Sequence, residues 1–157
     1  MLNMNTLQKV FLIIIINLMS FSVGFAQGKG VGLGVMLGQP TGISAKVWVS
    51  TTSAFALGTA YSFKDKAMEV QADYLLHLNH VFPLTTGKIP VYIGIGGTVS
   101  FKNNNQDPNY GIRVPVGISY FIPTVPVDVF IEAVPVIGIK PESRVSLNGN
   151  IGVRYFF

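Results

Sequence analysis

"NGNIGVRYFF", Asn148 to Phe157, is the stretch whose reading decides the fold. Ile151, Val153, Tyr155 and Phe157 fall on one parity, and Asn150, Gly152 and Arg154 on the other. Successive side chains of a strand point to opposite faces, so this stretch predicts one apolar, aromatic face and one small or polar face. Chain ends usually fray into solvent. Here Phe157, the last residue, continues the apolar face. The question is whether that face meets a protein core or an apolar solvent.

The same alternation recurs upstream, and nothing after Gln27 has a helical period. Val31, Leu33, Val35 and Leu37 oppose Gly32, Gly34 and Met36, and "GQPTG" (Gly38 to Gly42) then predicts a turn. Ile43, Ala45, Val47 and Val49 oppose Ser44, Lys46, Trp48 and Ser50. Phe55 to Phe63 and Met68 to Leu76 repeat the pattern, with Glu69, Gln71, Asp73 and His77 on the polar side of the latter. A longer connection, Asn79 to Pro90, precedes Val91 to Phe101 and then Tyr110 to Tyr120. In the seventh run Val127, Val129, Ile131 and Ala133 oppose Asp128, Phe130, Glu132 and Val134, and Pro135 predicts a bulge or an edge break. The eighth run is the closing stretch, begun at Arg144 and Val145. The sum is eight strands of about ten residues, the length a tilted strand needs to cross a bilayer.

The contents of the polar face decide between water and lipid. A water-facing side should be rich in Lys and Glu. Here it is largely Gly, Ala and Ser, and charged residues are 11% of the chain against a usual share of about 25%. Small residues inside and large apolar residues outside describe a membrane β-barrel. Closure is required, because an open sheet edge cannot be satisfied in lipid. The expected fold is therefore an all-β, eight-stranded antiparallel transmembrane up-and-down β-barrel, preceded by a helical signal peptide.

The first segment, "MLNMNTLQKVFLIIIINLMSFSVGFAQ", supplies that signal. It has a basic start at Lys9, an apolar run from Val10 to Met19, and small residues at Gly24 and Ala26. Residues 1–26 are expected to be removed, leaving residues 27–157 as the barrel domain. No Cys follows the cleavage site, so no lipoprotein anchor is expected. Export plus a lipid-facing barrel implies the bacterial outer membrane. The closing strand of such barrels is what the barrel-assembly machinery recognises, and Ile151, Val153, Tyr155 and Phe157 match that assembly signal.

An even strand number puts both termini on one side, the periplasmic side in this reading. The outer connections are then "GQPTG", Lys64 to Lys66, Lys102 to Asn109 and Gly138 to Ser143. Lys64, Lys66, Lys102 and Lys140 would lie at the lipopolysaccharide head groups, beside lipid phosphates or simply solvated. The parity places Lys46, Glu69, Asp73, Arg113, Asp128, Glu132, Arg144 and Arg154 in the interior. An eight-stranded barrel is only wide enough for side chains to fill, so these charges should pair as a plug; a selective pore lining is the alternative. Arg154 with Asp128 is the best single pair. Gly117, facing the same interior, is expected to accept Ser.

The chain is similar to small bacterial outer-membrane β-barrel proteins of the OmpA-like and OmpX-like architecture, and more closely to small barrels with no defined activity. The stretches that carry this resemblance are "GVMLGQPTGISAKVW", "PVYIGIGG", "YGIRVPVGISYFIPTVPVDVFIEAVPV" and "NGNIGVRYFF". The resemblance implies eight strands and outer-membrane residence. It transfers no catalytic or binding residue.

Other classes find little support. The net charge of +4 comes without a basic stripe carrying interleaved aromatics, so no nucleic-acid partner is expected. The expected partners are outer-membrane lipid and lipopolysaccharide, with the assembly machinery during biogenesis, and a monomer is expected. Some outer-membrane barrels modify lipid A with a Ser–His pair. The two histidines, His77 and His80, fall at the predicted periplasmic end, far from Ser44 and Ser62 near the outer rim. With two His and no Cys, no metal or other cofactor is expected. The Gly-rich stretches sit within strands and open no helix, so no nucleotide loop is read there. The expected role is structural or envelope-associated, without catalysis; a small pore or a lipid A-modifying enzyme is the alternative.

Overall fold

The computed structural model describes residues 30–63, 66–79, 81, 88–102, 107–140 and 143–157. The expected signal peptide, Lys64 and His80 lie outside the described residues. The strands are β1 (Val31–Gly38), β2 (Thr41–Trp48), β3 (Ser53–Ser62), β4 (Ala67–Leu78), β5 (Val91–Lys102), β6 (Asn109–Arg113), β7 (Val116–Phe121), β8 (Val127–Lys140) and β9 (Val145–Phe156). Each pairs antiparallel with its neighbours, β4 pairs with β5, and β9 returns to pair with β1 from Gly32↔Phe156 to Gly38↔Asn150. The sheet therefore has no free side edge around its girth; it is a closed barrel.

β6 and β7 are two halves of one barrel strand, which brings the ring to the eight expected. Both pair with β5 on one side and β8 on the other, and the register against each neighbour is unchanged across the gap. The interruption at Val114 and Pro115 has a simple cause. A proline has no N–H to give to the ladder. Pro115 accepts from Gly94 N–H at 2.8 Å but returns nothing, and Pro135 on β8 accepts from Val114 N–H at 3.0 Å and returns nothing. The expectation of a bulge or break at Pro135 is thus corrected. β8 runs through Pro135 without a slip, and the lapse appears in the neighbouring strand.

The alternation of burial follows the parity of the sequence. β4 reads buried and exposed in strict turn over its 12 residues. Outward-facing Leu33, Val35, Ile43, Leu57, Val70, Ile95, Ile131 and Ile151 are exposed, whereas inward-facing Lys46, Arg113, Asp128 and Arg154 are buried. Outward rings gather near the strand ends: Phe55 with Tyr74, Tyr61 with Phe63, and Tyr155 with Phe157, at centroid distances of 5.2, 5.1 and 5.1 Å. Both described ends of the chain meet at one rim, where Phe157 N–H donates to Val31 C=O at 3.0 Å. The connections after β2, β4 and β7 share that rim. The turn after β1 lies at the opposite one and uses Gly38 in a left-handed conformation (φ 138°), one that glycine adopts readily.

Candidate functional site: the barrel interior

The interior is filled by polar and charged side chains rather than by an aliphatic core. Arg154 and Asp128 are directly paired across β9 and β8. The guanidinium donates from Nε to Asp128 Oδ1 at 2.9 Å and from Nη2 to Oδ2 at 2.8 Å, a bidentate fork. Its Nη1 reaches Ser44 Oγ at 3.5 Å, and its carbon lies 4.0 Å from the centroid of the Phe130 ring. Lys46 approaches the same carboxylate, Nζ to Asp128 Oδ2 at 3.7 Å, and meets His77 Nε2 at 2.8 Å. The rings of Trp48, Tyr92 and Phe121 surround the Lys46 ammonium at 4.5, 5.5 and 5.6 Å. In tilted contact with one another and with His77 and Phe156, these rings form an aromatic floor at the rim that holds the chain ends.

A second group lies further along the lumen. Arg113 Nε is 2.9 Å from Asp73 Oδ1, its Nη2 is 3.8 Å from Glu132 Oε1, and its Nη1 donates to Gln71 Oε1. Glu132 also accepts from Tyr92 Oη at 2.9 Å and from Asn150 Nδ2 at 3.2 Å. Toward the far rim, Thr98 donates to Glu69 Oε1 at 2.6 Å. No ion pair holds Glu69 among the described residues, so the interior charges are not all matched. Arg144 departs from its expected place as well. It is exposed at the rim and takes no part in the interior network.

The inward glycines explain how these groups meet. Arg154 reaches Ser44 across Gly34, Arg113 reaches Asp73 across Gly96, and Tyr92 reaches Glu132 across Gly117. In each case the glycine stands on the middle of three adjacent strands. A Cβ on Gly96 would collide with Asp73 Oδ1, and one on Gly117 would lie 2.5 Å from the Tyr92 ring. The expectation that Gly117 accepts Ser is therefore corrected. These positions are gaps through which long side chains cross.

The structure brings Lys46, Asp73, Arg113, Asp128, Glu132 and Arg154 into contact groups and leaves Glu69 with Thr98. Sequence reasoning passed over Gln71, Tyr92, Thr98 and Asn150, all buried members of the network. Their shared inward parity was the available signal. Ile151, Val153, Tyr155 and Phe157 all face outward on β9 and its end.

No protein-family model and no curated protein sequence matches the chain. Among solved structures, the chain is similar to the N-terminal β-barrel domain of Pseudomonas aeruginosa OprF. The TM-score is 0.64 at 14% sequence identity, over 82% of this chain and 98% of that one. The likeness is one of fold.

Proposed function

We propose that this chain is an integral protein of the bacterial outer membrane, a small barrel with a closed, polar-plugged interior and a structural role in the envelope. The observation that carries the reading is the inverted distribution of side chains. Outward Val, Leu, Ile, Phe and Tyr residues are exposed on every strand, while charged groups fill the interior. Contiguous apolar patches of more than a few hundred Å² are rare on soluble monomers. Full burial of such a side chain contributes about 1.5–3 kcal/mol, and because these residues are about half exposed on the barrel, each gains roughly half of that on entering hydrocarbon. The fold likeness to the OprF domain is in keeping with this reading.

A closed lumen rests on width and occupancy. Eight strands leave room for side chains alone, and Lys46, Arg113 and Asp128 have no exposed surface. The test has two parts. The full chain expressed in a Gram-negative host should fractionate with the outer membrane and show heat-modifiable mobility on gels. The purified barrel in planar bilayers should give no steady channels. Recovery in a soluble fraction would overturn the membrane reading, and reproducible unitary conductance would overturn the closed interior.

A further inference from the structure

β9 outruns the strand that closes the barrel. β1 ends at Gly38, opposite Asn150, and the chain turns away at Gln39 and Pro40 into β2. Gln39 N–H donates to Gly149 C=O at 3.0 Å, the last bond of that ladder. β9 begins at Val145, so residues 145–148 have no β1 partner. That is roughly 13 Å of strand at about 3.4 Å per residue.

The ladder shows which groups are left over. In an antiparallel pair, alternate residues direct both N–H and C=O to the same neighbour. Gly149 faces the β1 side through Gln39, whereas Arg144 faces β8, accepting from Gly138 N–H at 2.7 Å. Leu147 and Val145 share the parity of Gly149. Their backbone groups point to the side that β1 has vacated and meet no partner among the described residues. Their side chains face outward, 73% and 75% exposed, the highest exposures among the large hydrophobics other than Phe157. Next to Leu147, Gly149 is exposed and adds no side chain: a Cβ there would stand in open space, with no atom within 4 Å. Arg144 precedes the edge, and Lys140 ends β8, the strand on the other side of β9; both are exposed.

We infer that this notch above the β1–β2 turn binds an outer-leaflet lipid with amide-linked acyl chains and phosphate groups, a glycolipid of the lipid A type. The inference rests on the outer-membrane reading. A strand edge cannot stay bare in hydrocarbon, and Val145 and Leu147 flank this edge with apolar side chains. It offers donors and acceptors together. An ester-linked acyl chain returns only acceptors, whereas an amide returns an N–H and a C=O. Gly149, with no side chain, leaves the approach to this edge open to an acyl chain, and Arg144 and Lys140 supply cations for phosphate.

The test uses the full-length barrel refolded in nanodiscs, with lipid A or phosphatidylglycerol as probe. Retained lipid is counted by native mass spectrometry, and exchange is followed at the Val145 and Leu147 amides. Lipid A should be retained in preference to phosphatidylglycerol and should slow exchange at both amides. Leu147→Pro removes an N–H that no ladder bond uses and shortens an exposed apolar side chain, so the barrel should keep its heat-modifiable mobility while lipid A retention falls about tenfold, the weight of one hydrogen bond to a charged or desolvated partner. Gly149→Phe, which sets a ring in the open approach to the edge, should act in the same direction. Equal retention of both lipids, or lipid A retention unchanged in folded Leu147→Pro and Gly149→Phe, would overturn the inference and leave the membrane reading standing. A chain that never enters bilayers would overturn both.

Discussion

Arg154 on β9 and Asp128 on β8 stand directly opposite each other and meet through two hydrogen bonds of 2.9 and 2.8 Å inside the barrel. Removing one partner of a buried pair costs more than the pair contributes, because a charge is left behind. Arg154→Ala should lower stability by about 3–5 kcal/mol, toward the lower figure because Lys46 remains near Asp128. Arg154→Met combined with Asp128→Leu should recover little of that loss, because buried Lys46, which is ion-paired to Asp128, is then the charge left without a partner. Urea midpoints of the refolded barrels check both. A fully stable Arg154→Ala would remove the ion pair from the account of stability.

The lipid face makes a second test. Ile112 faces outward, paired with Gly97 on β5 and Ile137 on β8. Ile112→Arg should cost about 2–4 kcal/mol if the residue lies near the bilayer midplane, and should impair insertion. Heat-modifiable mobility after refolding into vesicles reads this out. Normal assembly of Ile112→Arg would mean that the outward face is not the lipid face.

Two glycines separate the interior from the surface. Gly117→Ser forces its side chain against the Tyr92 ring and should disturb the Tyr92–Glu132 hydrogen bond. Overpacking of this kind costs about 1–3 kcal/mol. Gly97→Ala faces outward, where the nearest atom to a new Cβ is 3.9 Å away, and should be neutral or nearly so. Matching denaturation midpoints for the two variants would contradict the crossing of side chains over Gly117.

Phe157 and Arg154 should part company between the cell and the test tube. Deleting Phe157 removes one backbone bond to Val31, about 0.5–1.5 kcal/mol, and an exposed ring. Refolding of the purified protein should change little, while assembly in cells slows if the assembly machinery reads the terminal aromatic residue. Arg154→Ala should do the reverse. Pulse-chase assembly beside urea midpoints distinguishes them, and identical profiles in both assays would reject the division.

The sequence by itself determined which residues face in and which face out. Parity is a local property of the pleat, so Lys46, Asp128 and Arg154 could be placed inside and Ile151 and Val153 outside from their spacing alone. It also carried the Arg154–Asp128 pair, because those residues fall on consecutive strands joined by a short connection. The tertiary structure decided who meets whom at longer range. Lys46 and His77 meet from strands that are not neighbours, and Arg113 reaches Asp73 across Gly96, because barrel closure and stagger set the heights of the strands against each other. Two of the corrected expectations have causes of their own. Arg144 has the inward parity but sits beyond the end of β1, where there is no longer an interior to enter. Pro135 leaves its mark on Val114 because a missing N–H is felt by the strand that would have received it.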